Sequence, residues 1–170
     1  LSTLGIHPAP KSVEHVTGEA FTLQAGATIC ATDPSMAPAA SWLGTELNRL
    51  TGYQPEQSCA GEPDITLGLA AEPLSHSEGY TIQAREGGIQ IQAMGRHGAR
   101  YAAIATADLV GIDGQAEPAD IKDWPTIDTR VLYHEVSPLS GPMVSSEQTL
   151  EFIDRVVARS RINMLILELK

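Results

Sequence analysis

The last third of the chain constrains its fold most. Arg130-Val131-Leu132-Tyr133-His134-Glu135-Val136 is a strand-like run, Ser145 to Arg161 an amphipathic helical stretch, and Ile162 to Leu169 a second apolar run just before Lys170. Met164 to Leu169 is apolar on near-consecutive positions rather than alternating, the pattern of a strand covered on both faces in a parallel sheet. A strand, crossover helix and parallel strand cannot cover both faces of their own sheet, so this unit is expected to belong to something larger. Ser145 and Gln148 stand at capping-box spacing, and Leu150, Ile153, Val156 and Val157 are expected to form the helix's buried stripe.

Upstream the pattern is different. After a leading arm with Pro8 and Pro10, Ser12 to Val16 and Phe21 to Ala31 read as short strands. Asp33-Pro34-Ser35 is a helix start, Leu43, Leu47 and Leu50 recur at helical spacing, and Gly52 is a left-handed stop, which predicts a helix over 36–51. Tyr53 to Pro63 reads as a surface loop, and Asp64 to Leu69 as a half-buried strand. Tyr80, Ile82 and Ala84, then Ile89, Ile91 and Ala93, alternate about Arg85-Glu86-Gly87-Gly88 and predict a hairpin. Gly95 to Gly98 breaks the pattern before an Ala-rich helix over 99–110, whose Arg100 and Asp108 mark a solvent face. Gly111 to Ala119 reads as a loop. Ile121 to Pro125 reads as an extended segment that closes a first domain near Trp124. The fold class expected is α+β: an antiparallel-rich sheet with two helices over 1–124, followed by a βαβ fragment of a (β/α)8 barrel over 125–170.

Composition excludes several roles. At 170 residues and 42% hydrophobic, the chain suffices for one good core, or one domain and a piece of another. A net charge of -10 opposes nucleic acid and anionic membrane as partners, since both require a basic face. Aromatics make up only 5%, with two Trp, so a stacking surface has little raw material. No run approaches the roughly 18 apolar residues of a membrane span. The sequence opens at Leu1 without a charged-then-apolar leader, so a leader is expected to have been removed or to lie outside it. Cys30 and Cys59 allow one disulfide; two reduced, buried thiols are favoured, because Cys is among the most buried residue types and a lone pair has no framework spacing.

The motifs exclude more than they assign. His134-Glu135 is followed by Val136-Ser137-Pro138, so the second His of a zinc-protease helix is missing, and neither cysteine has zinc-ligand spacing. No metal and no cofactor is expected. No G-x-S-x-G elbow occurs, and Gly95-Arg96-His97-Gly98 lacks the context of a phosphate loop. The candidate substrate-proximal residues are His134, Glu135 and Ser137. They fall at the carboxyl end of the first barrel-like strand, where parallel barrels place their chemistry; the bland alternative is an idle loop edge. Arg130 is expected to be a structural cation paired with Asp123 or Asp128. Trp42 and Trp124 read as core or domain-interface residues, and Glu14, Glu19, Glu46, Glu56 and Glu62 as a solvated surface. No close pair of carboxylates is expected on a strand end, where glycosidic chemistry would need one.

An ordered set of segments resembles a known family. Glu78-Gly79-Tyr80-Thr81-Ile82, Gly88-Ile89-Gln90-Ile91, and Gly98 to Leu109 with its Gly-x-x-Tyr start are similar to the amino-terminal accessory domain of glycoside hydrolase family 20, the β-N-acetylhexosaminidases. Ile121-x-Asp123-x-Pro125, with Arg130 five residues on, resembles the hinge that enters that family's barrel, and Leu150 to Leu165 resembles its first helix and second strand. Related accessory domains precede barrels in family 84 and family 67 glycosidases.

The resemblance implies a parent that hydrolyses terminal N-acetylhexosamine, with the sugar's own acetamide as nucleophile. It also implies a secreted or periplasmic setting. The partners expected are the remainder of the parent barrel and the parent's carbohydrate substrate. Aligned on Arg130, Val131 stands at the family's Gly, Glu135 at its Asp, and Pro138 at the Arg that clamps the terminal sugar. Proline cannot make bidentate hydrogen bonds, so that clamp is absent. The family's catalytic Asp-Glu pair follows a later strand, a barrel needs about 250 residues, and the chain by itself is therefore expected to be inactive. The alternatives are a non-enzymatic carbohydrate-binding or interaction module, whose βαβ tail folds onto the accessory sheet or pairs with a second copy through strand 164–169, and a fragment of a related family 84 or family 67 glycosidase.

Overall fold

The computed structural model describes residues 4–136 and 145–169. The chain divides into two compact units, Leu1–Pro125 and Thr126–Lys170.

In the first unit the strands are β1 (Ser12–His15), β2 (Phe21–Thr22), β3 (Thr28–Ala31), β4 (Glu56–Gln57), β5 (Ile65–Leu69), β6 (Tyr80–Arg85), β7 (Gly88–Ala93), β8 (Gln115–Ala116) and β9 (Ala119–Asp123). Helix α1 (Ala37–Thr51) follows β3, and α2 (Arg96–Val110) follows β7. Seven strands form one sheet in the order β1-β9-β6-β7-β5-β3-β4, and β2 pairs with β8. The antiparallel expectation describes only half of the large sheet: β1, β9, β6 and β7 are antiparallel neighbours, whereas β7, β5, β3 and β4 run parallel. Helix α1 is the crossover from β3 to its parallel neighbour β4, because a helical connection returns the chain to the same end of the sheet.

Local chemistry sets the helix ends. The Asp33 carboxylate accepts from the Ser35 amide at 2.8 Å and opens a 3-10 turn, Pro34–Met36, that leads into α1. Gly52 closes α1 at φ 81, a left-handed conformation that strains any side chain, and its N–H donates to the Asn48 carbonyl. Helix α2 begins one turn earlier than the sequence pattern suggests. A Cβ on Gly98 would stand 2.6 Å from the Gly79 carbonyl oxygen, so the apparent break is what seats this first turn against the backbone entering β6. The expected solvent face of α2 is absent: Arg100 and Asp108 are only half-buried exceptions in a helix otherwise buried from Gly98 to Val110. The Arg100 guanidinium lies over the Trp42 ring, 4.8 Å from its centroid.

Ile65, Leu67, Ile82, Ile89, Ile91 and Ile121 alternate on the sheet face covered by the helices and are all buried. Each contributes about 1.5–3 kcal/mol by leaving water. Tyr80 belongs to the same face, and its hydroxyl donates to the buried Asp123 carboxylate at 3.0 Å. The other Asp123 oxygen accepts from the Lys11 amide at 3.1 Å, which ties the leading arm to β9.

Three sequence expectations change here. Cys30 and Cys59 form a disulfide, with Cα atoms 4.7 Å apart; the thiol reading fails because only Cys30 is buried while Cys59 is exposed beside β4. Glu46 is not solvated surface but 7% exposed, held in the fork of Arg49 at 2.6 and 2.9 Å. The two loops around 53–63 and 111–119 each contain a two-residue strand, β4 and β8, fixed by pairing with β3 and β2.

The second unit holds β10 (Val131–Val136), α3 (Ser146–Phe152), a π-helical turn (Ile153–Ala158) and β11 (Met164–Leu169). Strands β10 and β11 are parallel. The capping box forms as expected: the Ser145 hydroxyl accepts from the Gln148 amide at 3.2 Å, and the Gln148 side chain accepts from the Ser145 amide at 2.9 Å. The predicted buried stripe does not. Val157 is buried, but Leu150 is 66% and Val156 47% exposed. The wide π turn rotates the residues after Phe152 out of phase with those before it, so a stripe drawn at 3.6 residues per turn is broken.

Candidate functional site

The second unit places its polar residues through a lock at the amino ends of its strands. The Asn163 side-chain oxygen accepts from the Arg130 amide at 2.9 Å, and its NH2 donates to the Asp128 carbonyl at 2.6 Å. The amides of Asn163 and Met164 both donate to the Arg130 carbonyl. The Arg130 guanidinium donates to the carbonyls of Arg161 and Ile127, each at 2.6 Å. Its contact with Asp128 includes the backbone carbonyl, at 3.4 Å.

From this lock the register runs residue by residue: Val131 opposite Met164, Tyr133 opposite Ile166, and Glu135 opposite Glu168. Side chains alternate along a strand, so Val131, Tyr133, Met164 and Ile166 share one face of the two-stranded sheet. Its first two rows are apolar and open to solvent, with Val131, Tyr133, Met164 and Ile166 between 44% and 54% exposed.

The sequence reading expected no close acidic pair on a strand end. In the backbone register Glu135 stands opposite Glu168. Glu168 was the residue missed. A signal for it exists in the sequence, since Glu135 follows the anchor Arg130 by five residues and Glu168 follows the anchor Asn163 by five.

Of the other candidates, His134 stands opposite Leu167 in the register. Ser137 lies outside the described residues, as does Pro138. Among the described residues no group of three or more His, Cys, Asp and Glu converges as a metal site. No described helix is long and apolar enough to cross a membrane.

The sequence profile of glycosyl hydrolase family 20, domain 2, matches residues 3–124. The chain belongs to glycosyl hydrolase family 20. Within the family, a beta-hexosaminidase of Vibrio furnissii is 31% identical over 113 residues, which are 66% of this chain and 18% of that protein. A mutant Streptomyces plicatus beta-hexosaminidase, solved in complex with its product GlcNAc, superposes with a TM-score of 0.81 at 25% identity. That match covers 98% of this chain and 34% of the other. A family 20 exo beta-N-acetylglucosaminidase of Vibrio harveyi shares the fold at a TM-score of 0.80 and 21% identity, over 98% of this chain and 25% of its own. The chain thus spans from under a fifth to about a third of these family 20 relatives.

Proposed function

We propose that this chain is the amino-terminal part of a glycoside hydrolase that removes terminal N-acetylhexosamine residues. The family match over 3–124 carries the reading. Residues 1–124 form a non-catalytic accessory domain, and 125–170 supply the first strand, helix and second strand of a (β/α)8 barrel. The uncovered apolar rows of β10 and β11 support the barrel, because barrel interiors are filled by layers of bulky side chains from neighbouring strands. In a closed barrel those rows would become core, and the strand ends beyond them, where Glu135 and Glu168 stand in register, would face the substrate end. Glu135 and Glu168 then meet sugar hydroxyls as acceptors, in place of the arginine clamp that Pro138 removes, with His134 and Ser137 at the rim.

The chain alone holds no catalytic Asp-Glu pair of the family type and is expected to be inactive. The pure 170-residue chain should release no chromophore from a chromogenic N-acetylglucosaminide. The same chain joined to a complete family 20 barrel should release it. Turnover by the chain alone would refute the proposed division of labour.

A second reading, an interaction module, draws on the same exposed row. β11 pairs only with β10 among the described residues, so a second copy could cover it or its edge. Light scattering decides between a monomer and such a dimer. Hydrogen exchange at Met164 to Leu169 shows whether that strand is the contact.

A further inference from the structure

The Cys30–Cys59 bridge joins two parts of the first unit that are held with very different firmness. Cys30 lies in β3 and is 4% exposed, whereas Cys59 follows β4 and is exposed. The hydrophobic core takes Ala27 and Ile29 from the β3 side but no residue from 53–63, and within that segment Pro55 alone is buried. What ties the segment down is polar. β4 pairs with β3 over two residues, the Glu56 and Ser58 amides donate to the carbonyls of Ala27 and Ile29, and the Gln57 amide group donates to the Ala40 carbonyl of α1. A Cβ on Gly44 would stand 3.1 Å from Gln57 Nε2, so the missing side chain of α1 is the slot in which Gln57 lies.

We propose that this bridge is a redox latch: a small dithiol reductant opens it in the folded protein and frees segment 53–63 from the sheet edge while the core stays intact. A thiolate of the reductant attacks the exposed Cys59 sulfur, a mixed disulfide forms, and Cys30 leaves as a thiolate that takes up a proton. The second thiol of the reductant then attacks the mixed disulfide and releases Cys59, which is protonated in turn. Two electrons have passed to the protein, and the reductant leaves as its own disulfide. Without the bridge, the segment keeps a handful of exposed hydrogen bonds and no apolar anchor in the core, which is the condition for local opening below the global unfolding free energy. The carbonyls of Ala27 and Ile29 and the slot at Gly44 then face solvent, so the two redox states present different surfaces at this edge.

The test compares the oxidised 170-residue chain with the same chain in dithiothreitol, by amide hydrogen exchange and by brief digestion with an endoprotease that cuts after glutamate. On reduction, exchange at the Glu56 and Ser58 amides and cleavage after Glu56 should each accelerate at least about tenfold. Ile65 and Ile89 should stay protected and the circular dichroism spectrum should stay native. Reoxidation with oxidised glutathione should restore the slow rates. Cys59→Ser should be cut at the reduced chain's rate with or without dithiothreitol; if that variant does not fold, the two states of the unaltered chain still decide. Three results overturn the proposal: a bridge that dithiothreitol leaves closed in the folded chain, reduction that leaves exchange and cleavage at Glu56 unaltered, or reduction that releases Ile65 and Ile89 together with Glu56. The last would make the bridge a staple of the whole unit.

Discussion

Replacing Cys59 by Ser should cost the first unit about 3.6 kcal/mol, and the structure says how that loss divides. The bridge closes a sequence separation of 29 residues. The chain-entropy relation for a loop of that length gives roughly 12 cal/mol/K, hence the figure at room temperature. Locally the bridge sits beside β4, whose two residues are held to the rest of the sheet by few bonds. The Glu56 amide donates to the Ala27 carbonyl at 2.9 Å, the Ser58 amide to that of Ile29 at 3.0 Å, and the Gln57 side chain to that of Ala40 at 3.3 Å. Each is worth about 1 kcal/mol net, against about 1–2 kcal/mol per residue to order the backbone. Once untethered, β4 should fray before the sheet unfolds. Urea denaturation should show the lower midpoint with a raised slope, because the unfolded chain is no longer cross-linked. Hydrogen exchange at the Glu56 and Ser58 amides should accelerate, while that at Ile65 and Ile89 follows global stability. An unchanged midpoint under oxidising conditions would refute the reasoning. A lower midpoint with unaltered exchange at Glu56 would confine the bridge's effect to the unfolded chain.

Tyr80→Phe removes a buried donor from Asp123 and should destabilise the first unit by about 1–3 kcal/mol, read as a lower urea midpoint. Asn163→Ala deletes two hydrogen bonds of the Arg130 lock and should cost the second unit about 1–3 kcal/mol, with faster amide exchange in β10 and β11. The Asp33 carboxyl is held below its ordinary value of 3.8 by the Ser35 hydroxyl and then by the Ser35 amide. Its folded pKa is depressed, so its contribution is present above that ordinary value and is lost as pH falls through the folded one. Asp33→Asn should flatten that part of the acid limb of a stability-versus-pH curve, and an unaltered limb would count against the cap.

Elements whose pattern is carried by their own residues were legible in the sequence. The hairpin around Glu86-Gly87, the Leu43-Leu47 helix with its Gly52 stop, and the Ser145 capping box need no distant partner to be read. β4 and β8 escaped because two residues have no periodicity; they are strands only through β3 and β2. Gly98 read as a break, since its reason, the nearby Gly79 carbonyl, belongs to another element. Glu46 read as solvated although Arg49 one turn on was the cue to a paired and buried carboxylate. At the candidate site, Glu135 was reached from its place on a strand. Glu168 was not, because its place opposite Glu135 depends on register, and register is set by Asn163 reaching Arg130 across 33 positions.

Both edges of the large sheet are short and stand close behind a proline: β1 after Pro10, β4 directly after Pro55. Proline offers no amide to an incoming strand, and two or four residues give a newcomer little to zip onto. The disulfide beside β4 adds a covalent obstacle to its lengthening. The sheet is therefore finite by construction, shielded from runaway pairing while neighbouring chains are crowded and newly made. β11, six residues long and apolar but for Glu168, stands behind no proline, so any self-association of this polypeptide should start in the second unit and leave the first as a bystander.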